Sequence, residues 1–500
     1  MRHAPTLVLI IGMALRIAAG IVTPAKHAYD DHMEPTRIIV MQGRLPQPKD
    51  CWSCYQPPLY YVLSAAVFQA TKTIAIGCGV PKMDITAIGQ KAIQVISIVA
   101  GCVTLLLCRL ILRRVAAWPP LVEAAGLAFV AFLPVHIRMS AMATNDGLTY
   151  AFATAAIYAV LRTEANRWSA FGCLVTGALC GAAVLTKAYG WIPLFTVCSY
   201  AGYCAIRGIG GRDEGEARKR GSAARGPEAG RTRNARPSRW RGVALVTLAA
   251  LATSIWPAVR NLAIYGKPHV DNYEIFATQQ RLQPPGSWSR ISFHDLRLAA
   301  LFAHPWLHMA TLDSFWTEMY ARTWFEYEGT NNSLYLYGPW MARRVAIEAQ
   351  HPGKTDREFF PVLFGYDESA TPGQYRWIAR VLYAVGLPLT VLALLGLALL
   401  LWSAPAGGAP LLLGVHGVLC LLIPVLQTAR IPVFAAMKIE FALCALSSAG
   451  VAVAWALQRV PKRGQAIACG AVLGLLGLAA FADAGFIAVL WGAVRAAPAT

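Results

Sequence analysis

Apolar runs recur along this chain from residue 6 to residue 492. Several reach about 18 residues or more, enough for an α-helix to cross a hydrocarbon core of roughly 30 Å. In lipid no water is present to satisfy backbone N–H and C=O groups, and a helix satisfies its own. A membrane barrel needs regular in–out alternation, which these runs lack. With 56% hydrophobic and 14% charged residues, the chain reads as an all-α polytopic membrane protein.

The excess of basic residues, a formal net charge of +19, belongs to this reading. In a soluble protein it would suggest nucleic acid. In a membrane protein basic residues gather in cytoplasmic loops. The stretch 207–241 carries eleven Lys or Arg against four acids, is rich in Gly, Ala, Ser and Pro, and has no hydrophobic period. It is expected to be a flexible cytoplasmic loop. No stacked aromatic–basic motif appears, so nucleic acid is not expected as a partner.

That loop orients the rest. Spans are expected at 6–23, 93–112, 120–137, 147–161, 168–185, 188–206 and 242–256, then at 376–402, 409–427, 431–457 and 465–492. Alternation leaves 57–75 without a full crossing: it lies along or dips into the membrane, or a further span exists. The bundle is thus expected to hold about 11 to 13 membrane helices. Arg2, the apolar run and Ala18-Ala19-Gly20 have the look of a secretion signal, but residues 6–23 are read as a retained first span. The organisation is an N-terminal membrane core (1–256) with a first external loop at 24–56, an external segment (257–375) containing short helices, and C-terminal membrane helices (376–500). The external segment is rich in acids and aromatics, among them Phe315, Trp316, Tyr320, Trp324, Phe325 and Tyr327. These suit an interfacial belt or a lid over a site on the lipid side.

Most of the twelve Cys lie in apolar runs and read as small core residues. Cys51 and Cys54 lie in the first loop instead. They are a local disulfide on an oxidising face or two free thiols; the sequence leaves both open.

Charges converge on one face in this topology. Asp30 and Asp31 follow the first span. Asn145 and Asp146 open a later one, Lys187 ends another, and Arg260 follows the run 242–256. A charge at bilayer depth costs about 2.5–3.5 kcal/mol on insertion scales, so such residues mark reaction or transport paths. Each also has a plainer reading. Lys187 and Arg260 can snorkel, Asp146 can cap a helix, and Asp30, Asp31 and His32 can be solvated loop residues. Together they suit transfer from a phosphate-linked donor. One carboxylate takes the proton of an attacking hydroxyl, a second orients the acceptor, and cations hold the departing phosphate. A transporter or flippase for a lipid-linked or anionic solute is the competing class. It calls for inverted repeats and mid-span charges, whereas the charges here gather at one face.

The order of first span, Tyr29-Asp30-x-His32, Gly43-x-Leu45-Pro46 and Gln56-Pro57-Pro58-Leu59-Tyr60-Tyr61 resembles the GT-C membrane glycosyltransferases. The nearest branch is that of the protein O-mannosyltransferases and lipid A aminoarabinose transferases. Thr144-Asn145-Asp146-Gly147-Leu148, the run from Gly181 to Leu185-Thr186-Lys187, and Trp256-Pro257-x-x-Arg260-Asn261 with Tyr265-Gly266 follow in family order. Beyond these the likeness is one of hydropathy. Ala429-Arg430-Ile431-Pro432 and Lys438-Ile439-Glu440-Phe441 stand where the family has an Arg-Tyr pair with nearby prolines.

The resemblance implies a GT-C-like bundle and a polyprenyl-phosphate sugar donor. It implies an acceptor glycan, lipid or protein, and inversion at the anomeric carbon. It implies no metal and no cofactor beyond the donor. It maps the catalytic carboxylate onto Asp30, with Asp31 its immediate rival and Asp146 a second carboxylate. His32, Tyr55, Gln56, Asn145, Lys187 and Arg260 become candidate substrate contacts. The expected location is an inner or plasma membrane with the site on its outer face.

Overall fold

A computed structural model describes residues 2–23, 25, 32–207, 236–271, 274–275, 291–303, 305, 313–325, 373–403, 407–431 and 437–496. Asp30, Asp31, Tyr327 and most of the basic loop lie outside them. Among the described residues the chain is helical, with one isolated bridge between Ser292 and Ser314.

The helices of the N-terminal half are α1 (Ala4–Val22), α2 (Met33–Gln42), α3 (Leu59–Gly77), α4 (Lys82–Val115), α5 (Pro120–Ala131), α6 (Pro134–Ala141), α7 (Asp146–Ala165), α8 (Ala170–Thr186) and α9 (Trp191–Arg207). They are followed by α10 (Arg236–Ser254), α11 (Trp256–Tyr265), α12 (Leu298–Ala303), α13 (Phe315–Trp324), α14 (Gly373–Trp402) and α15 (Gly408–Arg430). A 3-10 turn at Ile439–Ala445 leads into α16 (Leu446–Gln458), and α17 (Lys462–Ala496) closes the bundle. Among the described residues seven helical units are long and apolar enough to cross a membrane, or up to nine if the bent pairs α5/α6 and α10/α11 each count as one. The protein is an all-α polytopic membrane protein. Outward-facing Phe171, Phe195, Phe481, Ile467 and Trp402 are exposed, as expected where lipid is the solvent.

The expected span 120–137 is broken inside, and the expected span 242–256 ends at a second bend. α5 and α6 meet at 52°, and α10 and α11 at 53°. Pro134 and Pro257 stand in the first turn after each break. Proline lacks the N–H the preceding turn needs and crowds its carbonyl, so a helix ends there and a new one starts. At the first break Arg16, fully buried in α1, supplies donors. Its guanidinium donates to Ala131 O at 2.9 Å and Val130 O at 3.2 Å, and lies 2.6 Å from His136 Nδ1.

This arrangement corrects the expectation that charges gather only at one face. Arg16, Arg138 and Asp483 are all buried within the bundle, and Arg138 pairs with Asp483 while its guanidinium lies 4.1 Å from the Phe486 ring. The first of these has a structural cause: a broken helix in lipid leaves carbonyls that no water reaches.

Small residues set the close approaches. Gly177 and Gly181 lie one turn apart on α8, facing α10. A Cβ at Gly177 would meet Val246 O at 2.3 Å, and one at Gly181 would meet Thr253 Oγ1 at 1.7 Å.

The place of residues 57–75 follows from pairing. α1 and α4 are antiparallel: Arg109 reaches Thr6, Leu105 lies at Gly12, Ile98 at Gly20, and Lys91 at Thr23. α3 pairs with α4 further on, with Phe68 against Gly89 and Tyr60 clustered with Ile93. The hairpin of α3 and the first turns of α4 therefore runs past the end of α1. Alternation between α1 and α4 holds without α3 as an intervening crossing, although α3 has the length and apolarity of a span.

The described aromatics at 315–325 are mostly buried. Phe315, Tyr320, Trp324 and Phe325 are buried and Trp316 is exposed. Trp324 packs on Gly386 of α14 and donates to Thr390 Oγ1 at 2.8 Å. Tyr320 donates to Tyr383 O. These rings anchor α13 to the bundle instead of forming a surface belt. Nearby, Glu318 and Arg322 are buried together at 3.7 Å.

Candidate functional site

The first turn of α7 and the last of α8 meet at the end of the bundle where α1 ends. Asp146 occupies the first position of α7. Lys187, just past the end of α8, is extended at φ −158° and ψ 148°, which turns its side chain back across the helix ends. Lys187 Nζ lies 2.8 Å from Asp146 Oδ1 and 2.7 Å from Oδ2. The two side chains are 10% and 3% exposed. A pair so far out of water survives only with good geometry and further hydrogen bonds.

Those hydrogen bonds come from tyrosines. Tyr189 donates to Asp146 Oδ1. Tyr150, one turn along α7, lies 3.4 Å from the same oxygen and donates to Glu440 O at 2.9 Å. The rings of Tyr150 and Tyr189 stack, and Phe441 packs on Tyr189 with centroids 5.7 Å apart. The turn Ala188–Gly190 that carries Tyr189 folds back on α8. A Cβ on Gly190 would sit 2.2 Å from the Ala183 carbonyl carbon, so only glycine allows it.

The segment between α1 and α3 supplies a second wall. His32 is buried, lies 2.9 Å through Nδ1 from the Tyr61 hydroxyl and stacks on the Tyr61 ring at 6.0 Å. It is near enough to Asp146 to interact with it electrostatically. Cys51 and Cys54 are joined as a disulfide, resolving the choice the sequence left open. The turn they close carries Tyr55 and Gln56. Gln56 Oε1 accepts from Asn145 Nδ2 at 2.6 Å, and the same amide nitrogen donates to Thr186 O at 3.0 Å. Asn145 therefore staples the first loop, the start of α7 and the end of α8. Its amide nitrogen is taken up in this assembly, while its Oδ1 makes no hydrogen bond among the described residues.

His32, Gln56, Asn145, Asp146 and Lys187 thus come together, with Tyr55 half-buried in the adjoining turn. Arg260 makes its contacts elsewhere. It reaches Pro46 O at 3.4 Å and Asn261 Oδ1 at 3.2 Å, with its guanidinium 5.3 Å from the Trp256 ring. Farther out on the same loop, Asp50 accepts from Arg44 at 2.5 Å and from the Gln47 N–H at 2.8 Å. Burial alone would raise its carboxyl, but these partners hold it below the usual carboxylate range.

No protein-family model and no curated protein matches this chain. Among solved structures it is similar to the oligosaccharyltransferase of Archaeoglobus fulgidus tethered with an acceptor peptide containing the NVT sequon. The TM-score is 0.49 at 12% identity, over 100% of this chain and 56% of that one. It is also similar to ArnT from Cupriavidus metallidurans bound to undecaprenyl phosphate, with a TM-score of 0.35 at 14% identity over 89% of this chain and 78% of that one. Both neighbours are GT-C glycosyltransferases. This chain spans 53% to 57% of the length of the archaeal enzyme in its first matches. Likenesses of this size leave the site to be argued from its own residues.

Several site residues escape a reading of the sequence. Tyr150 had a signal, since one helical turn from Asp146 places it on the same face. Tyr189 is two residues past Lys187. Glu440 had none: it meets Tyr150 across 290 residues. Among the described residues no group of three or more His, Cys, Asp or Glu is placed to hold a metal ion.

Proposed function

We propose that this chain is a membrane glycosyltransferase. It takes a sugar from a polyprenyl-phosphate donor at the outer face of an inner or plasma membrane and passes it to a hydroxyl of a glycan, lipid or protein. The observation that carries the reading is the buried Asp146–Lys187 pair at the rim of the bundle. The disulfide Cys51–Cys54 in the segment between α1 and α3 supports an oxidising compartment on this side.

The engaged state of Asp146 divides the roles. Both its oxygens accept from Lys187, and Tyr189 adds a donor. Asp146 serves as the fixed counter-charge that orients Lys187. Two of the ammonium's three N–H groups face Asp146, and the third is available for a phosphate oxygen. The base is assigned to the first loop, to Asp30 with Asp31 as its alternative. The acceptor oxygen attacks the anomeric carbon as the bond to the phosphate oxygen breaks. The phosphate leaves with the electron pair, the hydroxyl proton passes to the carboxylate, and one displacement inverts the centre.

Purified protein incubated with labelled polyprenyl-phosphate sugars, read by product mass, tests this. Transfer is expected from the wild type and lost in Asp30→Asn, with membrane insertion unchanged. Undiminished transfer in both Asp30→Asn and Asp31→Asn rules out the base assignment. Movement of the donor between leaflets without transfer replaces the enzyme with a flippase.

A further inference from the structure

Lys91, Gln94 and Ser97 stand three residues apart on α4 and so share one face. Lys91 Nζ lies 2.7 Å from Gly20 O, 3.1 Å from Ile21 O and 2.7 Å from Thr23 O. These are carbonyls that the last turn of α1 leaves without helical partners. An ammonium there also faces the negative end of the helix dipole. Gln94 Nε2 donates to Thr23 O at 3.1 Å and to Ala141 O, the last residue of α6, at 2.8 Å. Ser97 Oγ donates to Thr144 O at 3.2 Å. One stripe of α4 thus grips the point where the chain leaves α1 and the short segment that delivers Asn145 and Asp146. None of the three has a hydrogen bond to Asp146 or Lys187.

We propose that Lys91 and Gln94 are positioning residues, setting where the first external loop departs relative to the start of α7. The proposal rests on the reaction assigned above. Gln94 is its centre, because a single amide nitrogen holds Thr23 and Ala141 together. Lys91 keeps the end of α1 from unwinding toward the loop. Both act through backbone carbonyls, so the side chain needs donors and length: arginine replaces Lys91 and methionine does not.

The test compares wild type, Lys91→Met, Gln94→Leu, the double variant and Lys91→Arg, each as the full chain in lipid nanodiscs. A shift of about 1 Å at a reacting centre costs on the order of 100-fold. The double variant is therefore expected to lose about 10- to 100-fold in kcat, with KM for the donor within about twofold. Lys91→Arg is expected to keep wild-type rates. Hydrogen exchange over 19–23 and 141–145 is expected to quicken in the double variant and not in Lys91→Arg, and this readout needs no transfer. Should the double variant fail to insert, the single variants carry the same comparison. Unchanged exchange, or quickened exchange with unchanged kcat, overturns the proposal. Quickened exchange in a protein whose wild type transfers no sugar upholds the joint and overturns the reaction reading instead.

Discussion

Replacing Lys187 by methionine leaves Asp146 as a carboxylate 3% exposed, with the hydroxyls of Tyr189 and Tyr150 as its remaining side-chain hydrogen-bond partners. Removing one partner of a buried pair costs about 3–5 kcal/mol, because the other charge is stranded. The tyrosine donors persist in the variant, so the lower end of that range, about 3 kcal/mol, is expected. Asp146→Asn strands an ammonium instead. Lys187 has a long flexible stem and is 10% exposed, so it swings toward water and the loss falls to about 2 kcal/mol. The double variant strands no charge and keeps an acceptor for Tyr189, so its loss is well below the sum. A coupling of about 2 kcal/mol is expected, within the range for groups in direct contact. Equilibrium unfolding in mixed detergent and SDS micelles, followed by tryptophan fluorescence, measures the four corners of this cycle. Additivity to within about 0.5 kcal/mol would mean the two residues do not share a pair. A loss under about 1 kcal/mol for Lys187→Met would mean that Asp146 is solvated. Either result refutes the buried pair on which the site is built.

Two further outcomes follow from the first loop. Replacing Cys51 and Cys54 by serine opens a ring of separation 3 and is expected to lower stability by about 2 kcal/mol on the chain-entropy account. Transfer should fall with it, because the turn holds Gln56 against Asn145; reductant should weaken the wild type in the same assay and leave the double serine variant unaffected. Asp50 is held below its ordinary value of 3.8 by Arg44 and the Gln47 N–H. Its contribution, about 0.2–1 kcal/mol for an exposed pair, is present above that ordinary value and is lost as pH falls through the depressed one. The gap in unfolding midpoint between wild type and Asp50→Asn should close on acidification, and a gap that widens in acid reverses the sign assigned here.

The spans were legible because burial in lipid is written locally. The run 6–23 became α1 at Ala4–Val22, 376–402 became α14 at Gly373–Trp402, and 409–427 became α15 at Gly408–Arg430. The meeting of Asp146 with Lys187 was foreseeable too, since α7 and α8 are consecutive and a short connection makes them antiparallel neighbours. Less visible were the two breaks. Pro134 and Pro257 were in plain sight, but proline also sits inside continuous helices here, at Pro388 and Pro424. What separates the first break from those is a partner elsewhere in the chain: Arg16 stands ready for the carbonyls at Val130 and Ala131.

By itself the sequence determined that the chain lives in a membrane as helices, roughly where several of the long helices run, and which charged residues lie near their ends. Those properties depend on the solvation of a segment and on its near neighbours along the chain. Tertiary structure alone decided that α3 pairs beyond the end of α1, that the Asn145 amide nitrogen joins Gln56 to Thr186, that Glu440 borders Tyr150, and that Lys91 and Gln94 tie α1 to α6. Each of these is a choice of partner between segments far apart in the chain. In a bundle where most surfaces are equally apolar, that choice falls to a few buried polar groups and glycine contacts whose complementarity exists only once the helices are packed.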